Sequence, residues 1–328
     1  MNVFYFSSDM FVSTAAVSIV SLMENNKSFE SIHFYVVDDG ITNENKIKLI
    51  NMVSKYKREI DFIQAPDPSK VFGFPFKDRY QIGHSYVRMC IGTLLPQSVE
   101  RVLCLDSDTL ISGDLTELWN RDIGDNILAG VSDCVNLRAY RKRFYLQDDE
   151  VYCNAGVFLV DLKKWRDNKI EERITDVIHR QNGNVFFFEQ TVINYVCRGR
   201  IYSLPPKYNV YTLFYAFDYK NLIRWRKPTR FYKEEEIIAA KDKPYIIHFT
   251  RNFYMLSRPW MENCDHPVRN EYIRYKQLTP WESPEKNEIT VKKRFRYGLF
   301  HMIPKCILCK VAGFLYNFVR PKMYWRND

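Results

Sequence analysis

The sequence predicts an α/β fold, with one mostly parallel sheet and helices on both of its faces, in a chain of 328 residues. Three observations support this prediction. Short apolar runs alternate with helical patterns along most of the chain. About three strand–helix units precede Asp106, which is the size of one half of a doubly wound sheet. Hydrophobic residues make up 46% of the chain and aromatic residues 16%, which is enough for a substantial core.

The first five elements follow one another at short intervals. The run 3–6 is continuously apolar and indicates a buried strand, and 13–22 has the periodicity of a helix. A second strand at 32–37 is followed by a charged amphipathic helix at 43–57 and a third strand at 60–64. This alternation is typical of parallel strands joined by helices.

The later elements are less evenly spaced. A helix at 85–95 is predicted to begin at Ser85, a possible cap, and to end before Pro96. The remaining predicted elements are strands at 101–105, 127–131, 157–161 and 245–248 and a charge-rich helix at 162–180.

Two carboxylates, Asp106 and Asp108, follow the apolar strand at 101–105. Ligands bind at the carboxyl ends of strands in open α/β sheets. Neighbouring carboxylates repel each other unless a cation lies between them, and Mg²⁺ and Mn²⁺ take oxygen ligands and bridge to phosphates. The pattern favours a metal that holds a phosphorylated substrate. Ordinary Asp-Ser-Asp turn chemistry stays an alternative. So does an aspartyl-phosphate phosphatase, although Leu110 stands where its Asp-x-Asp-x-Thr motif has Thr.

Other residues at element ends could also reach a ligand. After the first strand, Phe11 could stack on a base beside Ser8 and Asp9, or these two could cap the next helix. His248 ends a strand and could be a third metal ligand or an ordinary buried histidine. Arg88 lies in an apolar helix and could bind a phosphate or pair with a carboxylate.

Two further motifs stand later in the chain. Glu189 and Gln190 begin a helix, where a carboxylate is favourable by itself. Ala155 and Gly156 open a strand after Asn154 and are small enough for a ligand to approach the backbone closely.

The order of these motifs resembles family 8 of the retaining glycosyltransferases. The most specific parts are the Asp-Ser-Asp triplet after its strand, Tyr152-Cys-Asn-Ala-Gly-Val, Glu189-Gln190, and His248 followed by Arg258-Pro-Trp. The likeness extends over about residues 1–285 and is greatest to bacterial lipopolysaccharide and capsule α-galactosyl- and α-glucosyltransferases. It implies a single GT-A-type domain that binds a nucleotide-diphospho-sugar.

The resemblance also implies roles for individual residues. Asp106, Asp108 and His248 would hold Mn²⁺, with Mg²⁺ as the alternative ion. The residues implied in donor binding are Ser8, Asp9, Phe11, Arg88, Asp106, Ser107, Asp133, Asn154, Ala155 and Arg258. Gln190 would lie near the anomeric carbon, and Glu189 would be the nucleophile of a less favoured double displacement.

The implied reaction moves glucose or galactose from a UDP-sugar, with retention, to an oligosaccharide or lipid-linked acceptor of lipopolysaccharide or capsule. An inactive membrane-associated sugar-binding protein and the phosphatase remain alternatives. The chain departs from the family pattern at three points: Met10 replaces an Asn, Glu189 replaces an Asp, and the loop after His248 has Arg251 in place of a Gly and four extra residues.

Positive charge is concentrated at the end of the chain. Residues 291–328 contain nine basic residues and one acidic residue, which gives +8 of the total +9 and leaves about +1 for the first 290 residues. This distribution argues against nucleic-acid binding by the main body. Apolar residues recur every four positions in this tail: Phe295, Leu299, Ile303, Ile307, Val311, Leu315 and Val319. Pro304, Lys305 and Lys310 interrupt this pattern, so no uncharged run is long enough for a spanning helix. Such a segment fits an anionic membrane surface, or a helix pair packed on the main domain.

We therefore expect a catalytic domain at 1–285 and a basic amphipathic membrane-association segment at 286–328. The first strand begins without a basic leader, and several of the eight cysteines lie in apolar runs, as free thiols do. The expected location is the cytoplasm, at the inner face of the bacterial cytoplasmic membrane.

Overall fold

The structure is a computed structural model, and it describes residues 1–76, 80–140, 146–183, 185–256, 258–281 and 290–325. Its main sheet has seven strands in the order β3-β2-β1-β4-β7-β6-β8. These strands are β1 Asn2–Ser8, β2 His33–Asp39, β3 Glu59–Gln64, β4 Arg101–Leu105, β6 Leu128–Ser132, β7 Cys153–Asp161 and β8 Ile201–Ser203. All neighbours pair in parallel except β7, which is antiparallel to β4 and β6. The predicted mostly parallel α/β sheet is confirmed.

Helices cover both faces of this sheet. Along β4, Val102 and Cys104 belong to one hydrophobic core, whereas Leu103 and Leu105 belong to the other. All four are buried, because helices pack on either side of a parallel sheet. The helices of the main domain are α1 Val12–Asn25, α2 Asn43–Lys55, α3 Pro68–Phe72, α4 Tyr80–Val87, α5 Ile91–Leu94, α6 Thr116–Trp119, α7 Leu162–Asp167, α8 Ile170–Arg180, α9 Phe188–Val196, α10 Leu213–Ala216, α11 Tyr219–Arg226, α12 Glu234–Asp242 and α13 Arg269–Lys276.

Two predicted helices have the wrong boundaries. The helix expected at 85–95 is two elements, α4 and α5, and Ser85 lies inside α4 rather than at its start. The helix expected at 162–180 is interrupted at Lys169, whose φ of 51° is left-handed, so α7 ends and α8 begins there. The Asn168 side chain bonds the Lys164 carbonyl at 2.7 Å and closes the last turn of α7. The charge-rich helical pattern of the sequence continues across Lys169, so the sequence alone does not reveal this break.

A second, three-stranded sheet was not predicted. It consists of β5 Thr109–Ile111, β9 Val210–Tyr211 and β10 Ile246–His248, in the order β5-β10-β9. The strand expected at 245–248 therefore exists, but it pairs with β5 and β9 rather than with the main sheet. Because His248 pairs with Thr109, this small sheet fixes the histidine beside the Asp106–Asp108 segment.

The tail forms helices α14 Val291–Met302 and α15 Lys305–Phe314, a π-helical segment Leu315–Val319 and helix α16 Arg320–Trp325. The expected interruption at Pro304 is present, since α14 ends just before it. Within the described ranges, no helix alone has the length and apolarity of a membrane span, and one pair, Phe295–Met302 with Lys305–Lys322, reaches them only together and across a bend of 112°. The expected domain boundary near 285 lies outside the described residues.

Candidate active site

The three predicted metal ligands meet at one edge of the sheet. Asp106 and Asp108 follow β4, and His248 is the last residue of β10. The His248 Nε2 atom lies 3.4 Å from Asp106 Oδ2 and 3.2 Å from Asp108 Oδ1. One ligand atom from each residue falls within 4.8 Å of the others, a spacing that a single metal ion can bridge.

The surroundings of His248 fit metal ligation. Its Nδ1 lies 3.3 Å from Asn209 Oδ1, so that Nδ1–H can donate there and leave the Nε2 lone pair for a metal. A Cβ at Gly156 would come within 2.0 Å of His248 Cε1 and 2.8 Å of Asp106 Oδ2. Only glycine leaves space for the imidazole between β7 and the carboxylates.

Charge coupling in this cluster is strong. Burial alone would raise the pKa of Asp108, but His248 and Arg258 outweigh it and hold that pKa well below its usual range. Burial would lower the pKa of His248, but the Asp108 and Asp106 carboxylates raise it to about 9. Arg258 pairs with Asp108 through Nη1, and Arg88 Nη1 lies 2.6 Å from Asp106 Oδ1. The carboxylates thus attract several cations at once.

A second cluster of predicted residues adjoins the metal trio. Gln190 Nε2 donates to Asp133 Oδ2 at 2.8 Å, and its Oε1 accepts from Asn154 Nδ2 and from the Ala155 amide, each at 3.3 Å. The Asn154 Oδ1 in turn accepts from Gly156 N and Asn209 Nδ2, each at 3.0 Å. Since Asn209 also contacts His248, a continuous polar network joins this cluster to the metal trio.

Glu189 lies between the two clusters. Its Oε1 is 3.7 Å from Arg88 Nη1, the same group that pairs with Asp106. Burial raises the pKa of Glu189 although the Arg88 charge opposes this shift. Arg88 also donates from Nη2 to the Ala155 carbonyl at 3.0 Å. Arg88 therefore contacts both predicted regions of the site.

The residues predicted to contact the base lie at the same edge of the sheet, and one of them, Asp9, has other partners. Because β1 and β4 are parallel neighbours, their ends are adjacent, and Ser107 Oγ donates to the Phe6 carbonyl at 3.2 Å. Asp9 Oδ1 accepts from Thr42 and Asn45 at the start of α2, whose N-cap is Thr42, so Asp9 does not cap the next helix, α1, which has no side-chain cap. Phe11 is partly exposed at the start of α1. Donor contacts by Ser8, Asp9 and Phe11 stay predictions.

Two residues of the network were not singled out from the sequence. Asn209 lies just before β9, and Arg226 ends α11, where its Nη2 is 3.7 Å from Asp133 Oδ1 and its Nε donates to the Cys134 carbonyl at 2.6 Å. Their partners come from distant segments of the chain, and no local pattern marks either residue.

Comparison with known proteins agrees with this geometry. Residues 2–264 match the family model described as glycosyl transferase family 8. A lipopolysaccharide 1,2-glucosyltransferase of Escherichia coli is 25% identical over 336 residues, which cover 94% of this chain and 90% of that protein. General stress protein A of Bacillus subtilis is 25% identical over 267 residues, covering 80% of this chain and 88% of that protein.

Solved structures share the fold. The galactosyltransferase LgtC, solved with donor and acceptor sugar analogues, superposes with a TM-score of 0.68 at 22% identity and covers 90% of this chain and 100% of its own. The bifunctional glycosyltransferase WbbM gives a TM-score of 0.69 at 20% identity, covering 90% of this chain and 51% of its own. The predicted GT-A fold and the enzyme class are confirmed, and the chain belongs to glycosyl transferase family 8.

Proposed function

We propose that this glycosyltransferase moves glucose or galactose from a UDP-hexose, with retention at the anomeric carbon, to a saccharide acceptor of lipopolysaccharide or capsule. The observation that carries the proposal is the adjacency of two clusters at one sheet edge: the Asp106, Asp108 and His248 trio and the Asp133–Gln190–Asn154 network. The Escherichia coli relative is a lipopolysaccharide 1,2-glucosyltransferase, which supports the acceptor class. Family membership favours transfer over the phosphatase alternative.

Asp106, Asp108 and His248 hold a divalent cation in this proposal. Two carboxylate oxygens and one imidazole nitrogen form a mixed donor set that suits Mn²⁺, with Mg²⁺ as the harder alternative. A bound divalent cation supplies positive charge that stabilises the diphosphate as it leaves the sugar. Asn209 fixes the imidazole so that Nε2 faces the carboxylates.

The remaining residues bind and orient the donor. In this proposal Arg258, which pairs with Asp108, contacts the diphosphate, and Arg88, which pairs with Asp106, contacts the transferred sugar. Asp133, Asn154 and Ala155 surround the sugar, and Gln190 lies on the side of its anomeric carbon. The bond from that carbon to the diphosphate oxygen breaks, the acceptor oxygen bonds to the carbon, and the acceptor proton passes to the diphosphate. Glu189 stays paired with Arg88, so we favour this route over double displacement through Glu189.

The tail attaches the enzyme to an anionic membrane surface in this proposal. One face of α15 and the π-helical segment is exposed and apolar, and it comprises Ile307, Val311, Phe314, Leu315, Phe318 and Val319. Lys310 and Lys322 are also exposed on these helices and can contact acidic headgroups. All eight cysteines are free, which suits the reducing cytoplasm at the inner face of the membrane.

A donor panel tests the proposal directly. UDP release is measured with Mn²⁺ for UDP-glucose, UDP-galactose and other UDP-sugars, with and without saccharide acceptors. We expect turnover of a UDP-hexose that Asp108→Ala abolishes, because the trio loses one of its two carboxylates. Asp176→Ala is the matched control, since Asp176 is exposed on α8. Full turnover in Asp108→Ala, or hydrolysis of simple phosphate esters in place of UDP-sugars, would refute the proposal.

A further inference from the structure

The tail docks closely on the catalytic domain. Helix α15 packs on α11, and a Cβ at Gly313 would lie 2.8 Å from the Arg224 carbonyl oxygen and 3.1 Å from that of Trp225. Asn317 is buried between them, where its Nδ2 donates to the Trp225 carbonyl at 2.9 Å and its Oδ1 accepts from Asn136 at 2.9 Å. This contact is specific, because it requires a glycine and satisfies a buried amide.

The docked tail touches a residue that supports the sugar-side network. The Tyr316 ring is buried with its centroid 4.1 Å from the Arg226 guanidinium carbon. Arg226 lies against Asp133, and Asp133 accepts the Gln190 amide. The aromatic ring therefore limits where Arg226 can place its charge, and that charge in turn orients the carboxylate that holds Gln190.

A second contact reaches the start of α9. The Arg320 guanidinium carbon lies 4.4 Å from the Phe187 ring centroid. Phe187 and Phe188 have φ angles of 53° and 47°, a left-handed conformation that is costly for side chains of this size. Because Glu189 and Gln190 follow directly, the tail packs against the strained turn that presents them.

A third contact reaches the loop after β10. His301 stacks on Tyr254 with ring centroids 4.2 Å apart, and Phe300 meets Phe253 at 5.7 Å. These two aromatic residues lie between His248 and Arg258 in the sequence. The tail thus contacts three segments of the site: the end of α11 at Arg226, the turn before Gln190, and the loop that joins His248 to Arg258.

We propose that the C-terminal helices position the donor site, with Tyr316 and Arg226 as positioning residues for Asp133 and Gln190. Docking of the tail on the catalytic domain and sugar transfer are therefore coupled. This inference rests on the proposed function, which assigns the sugar to that network. It extends that function by making the membrane-facing segment part of the catalytic geometry rather than a separable anchor.

Paired substitutions test the coupling in the whole chain of 328 residues. Gly313→Ala must displace α15 from α11, because the new Cβ meets backbone atoms. Gly298→Ala is the matched control, since a Cβ there would have none of the described atoms within 4 Å. Tyr316→Leu removes the ring from Arg226, whereas Tyr316→Phe retains it. For each variant, kcat is expressed per UDP-binding site, counted by titration with UDP and Mn²⁺, together with the KM for UDP-hexose.

We expect kcat per site to fall at least tenfold in Gly313→Ala and Tyr316→Leu, with UDP affinity within about twofold of wild type. Such misplacement of a positioned group can cost up to ~10²-fold in rate. Gly298→Ala and Tyr316→Phe should keep wild-type kcat, and this rescue separates positioning from loss of folded protein. Wild-type kcat per site in Tyr316→Leu and Gly313→Ala would overturn the coupling. An inactive wild-type enzyme with every UDP-hexose would instead refute the proposed function itself.

Discussion

Replacing Gly156 by alanine should disrupt the metal site with the smallest possible change. The added Cβ would lie 2.0 Å from His248 Cε1 and 2.6 Å from Nδ1, whereas ordinary contact begins at 3.4 Å. The imidazole must therefore move by about 1.4 Å, or β7 must shift away from β4. Displacement on this scale removes a ligand from the trio and also breaks the bond to Asn209.

We expect Gly156→Ala to weaken Mn²⁺ binding by about 100-fold, since loss of a ligand's orientation typically costs ~10–100-fold in metal affinity. This corresponds to ~2.8 kcal/mol, because each tenfold change is ~1.4 kcal/mol. Isothermal titration of Mn²⁺ in the presence of UDP measures the effect, and Gly298→Ala controls for adding a methyl group elsewhere. In a His248→Ala background the same glycine substitution should cost much less, because only the contact with Asp106 Oδ2 at 2.8 Å remains.

Wild-type Mn²⁺ affinity in Gly156→Ala would show that the imidazole does not occupy the space between β7 and the carboxylates. The same conclusion would follow if the two substitutions were additive. Either result would remove His248 from the proposed ligand set.

Two further predictions concern protons and membranes. The pKa of His248 is raised to about 9 by the buried carboxylates, so Mn²⁺ must displace a proton below that pH. We expect the affinity for Mn²⁺ to fall about tenfold per pH unit below pH 9 and to level off above it. Calorimetry in buffers of different ionisation enthalpy measures the proton release. A flat Mn²⁺ affinity between pH 7 and 9 would contradict this prediction. In the metal-free protein, the charged imidazole of His248 stabilises the folded state, and this stabilisation is fully present below the unfolded-state pKa of 6.5. It is lost as the pH rises through the folded-state pKa of about 9. The double variant Val311→Glu/Phe318→Glu should no longer sediment with anionic vesicles, whereas Ile238→Glu, at another exposed apolar residue, should sediment as the wild type does. Equal sedimentation of the double variant and Ile238→Glu would exclude the tail as the attachment surface.

Local sequence patterns predicted the strands that carry the site. The ends of β1 and β4 combine continuous apolar runs with an abrupt change to polar residues, and the structure places those ends side by side. Asp106 and Asp108 could be assigned because two adjacent carboxylates are costly without a cation. His248 was already a candidate ligand because it ends a strand, and the likeness to a known family assigned it to these carboxylates, which no spacing argument could have done.

The remaining parts of the site depend on distant pairings. Strands β5 and β9 have three and two residues, so neither is long enough to show an alternating pattern. Asn209 acquires its role only when β9 lies beside β10, and Arg226 only when α11 brings it to Asp133. The interruption of the tail at Pro304 was predicted correctly, and the tail packs on the main domain as the alternative interpretation expected, while its membrane role stays a prediction. Its docking through Gly313 and Asn317 depends on a helix some ninety residues earlier in the chain.

Because β7 runs antiparallel to β4 and β6, its first and last residues lie at opposite edges of the sheet and have different roles. Its first residues meet the end of β4, where Leu105 pairs with Val157, so Asn154, Ala155 and Gly156 enter the strand at the chemically active edge. Its last residue, Asp161, pairs with Arg101 at the opposite edge, and α7 begins there. Changes at the junction where α7 directly follows β7 should therefore alter the stability of the protein while leaving the reaction untouched. That far edge is where a fluorophore or an affinity tag can be attached with least interference.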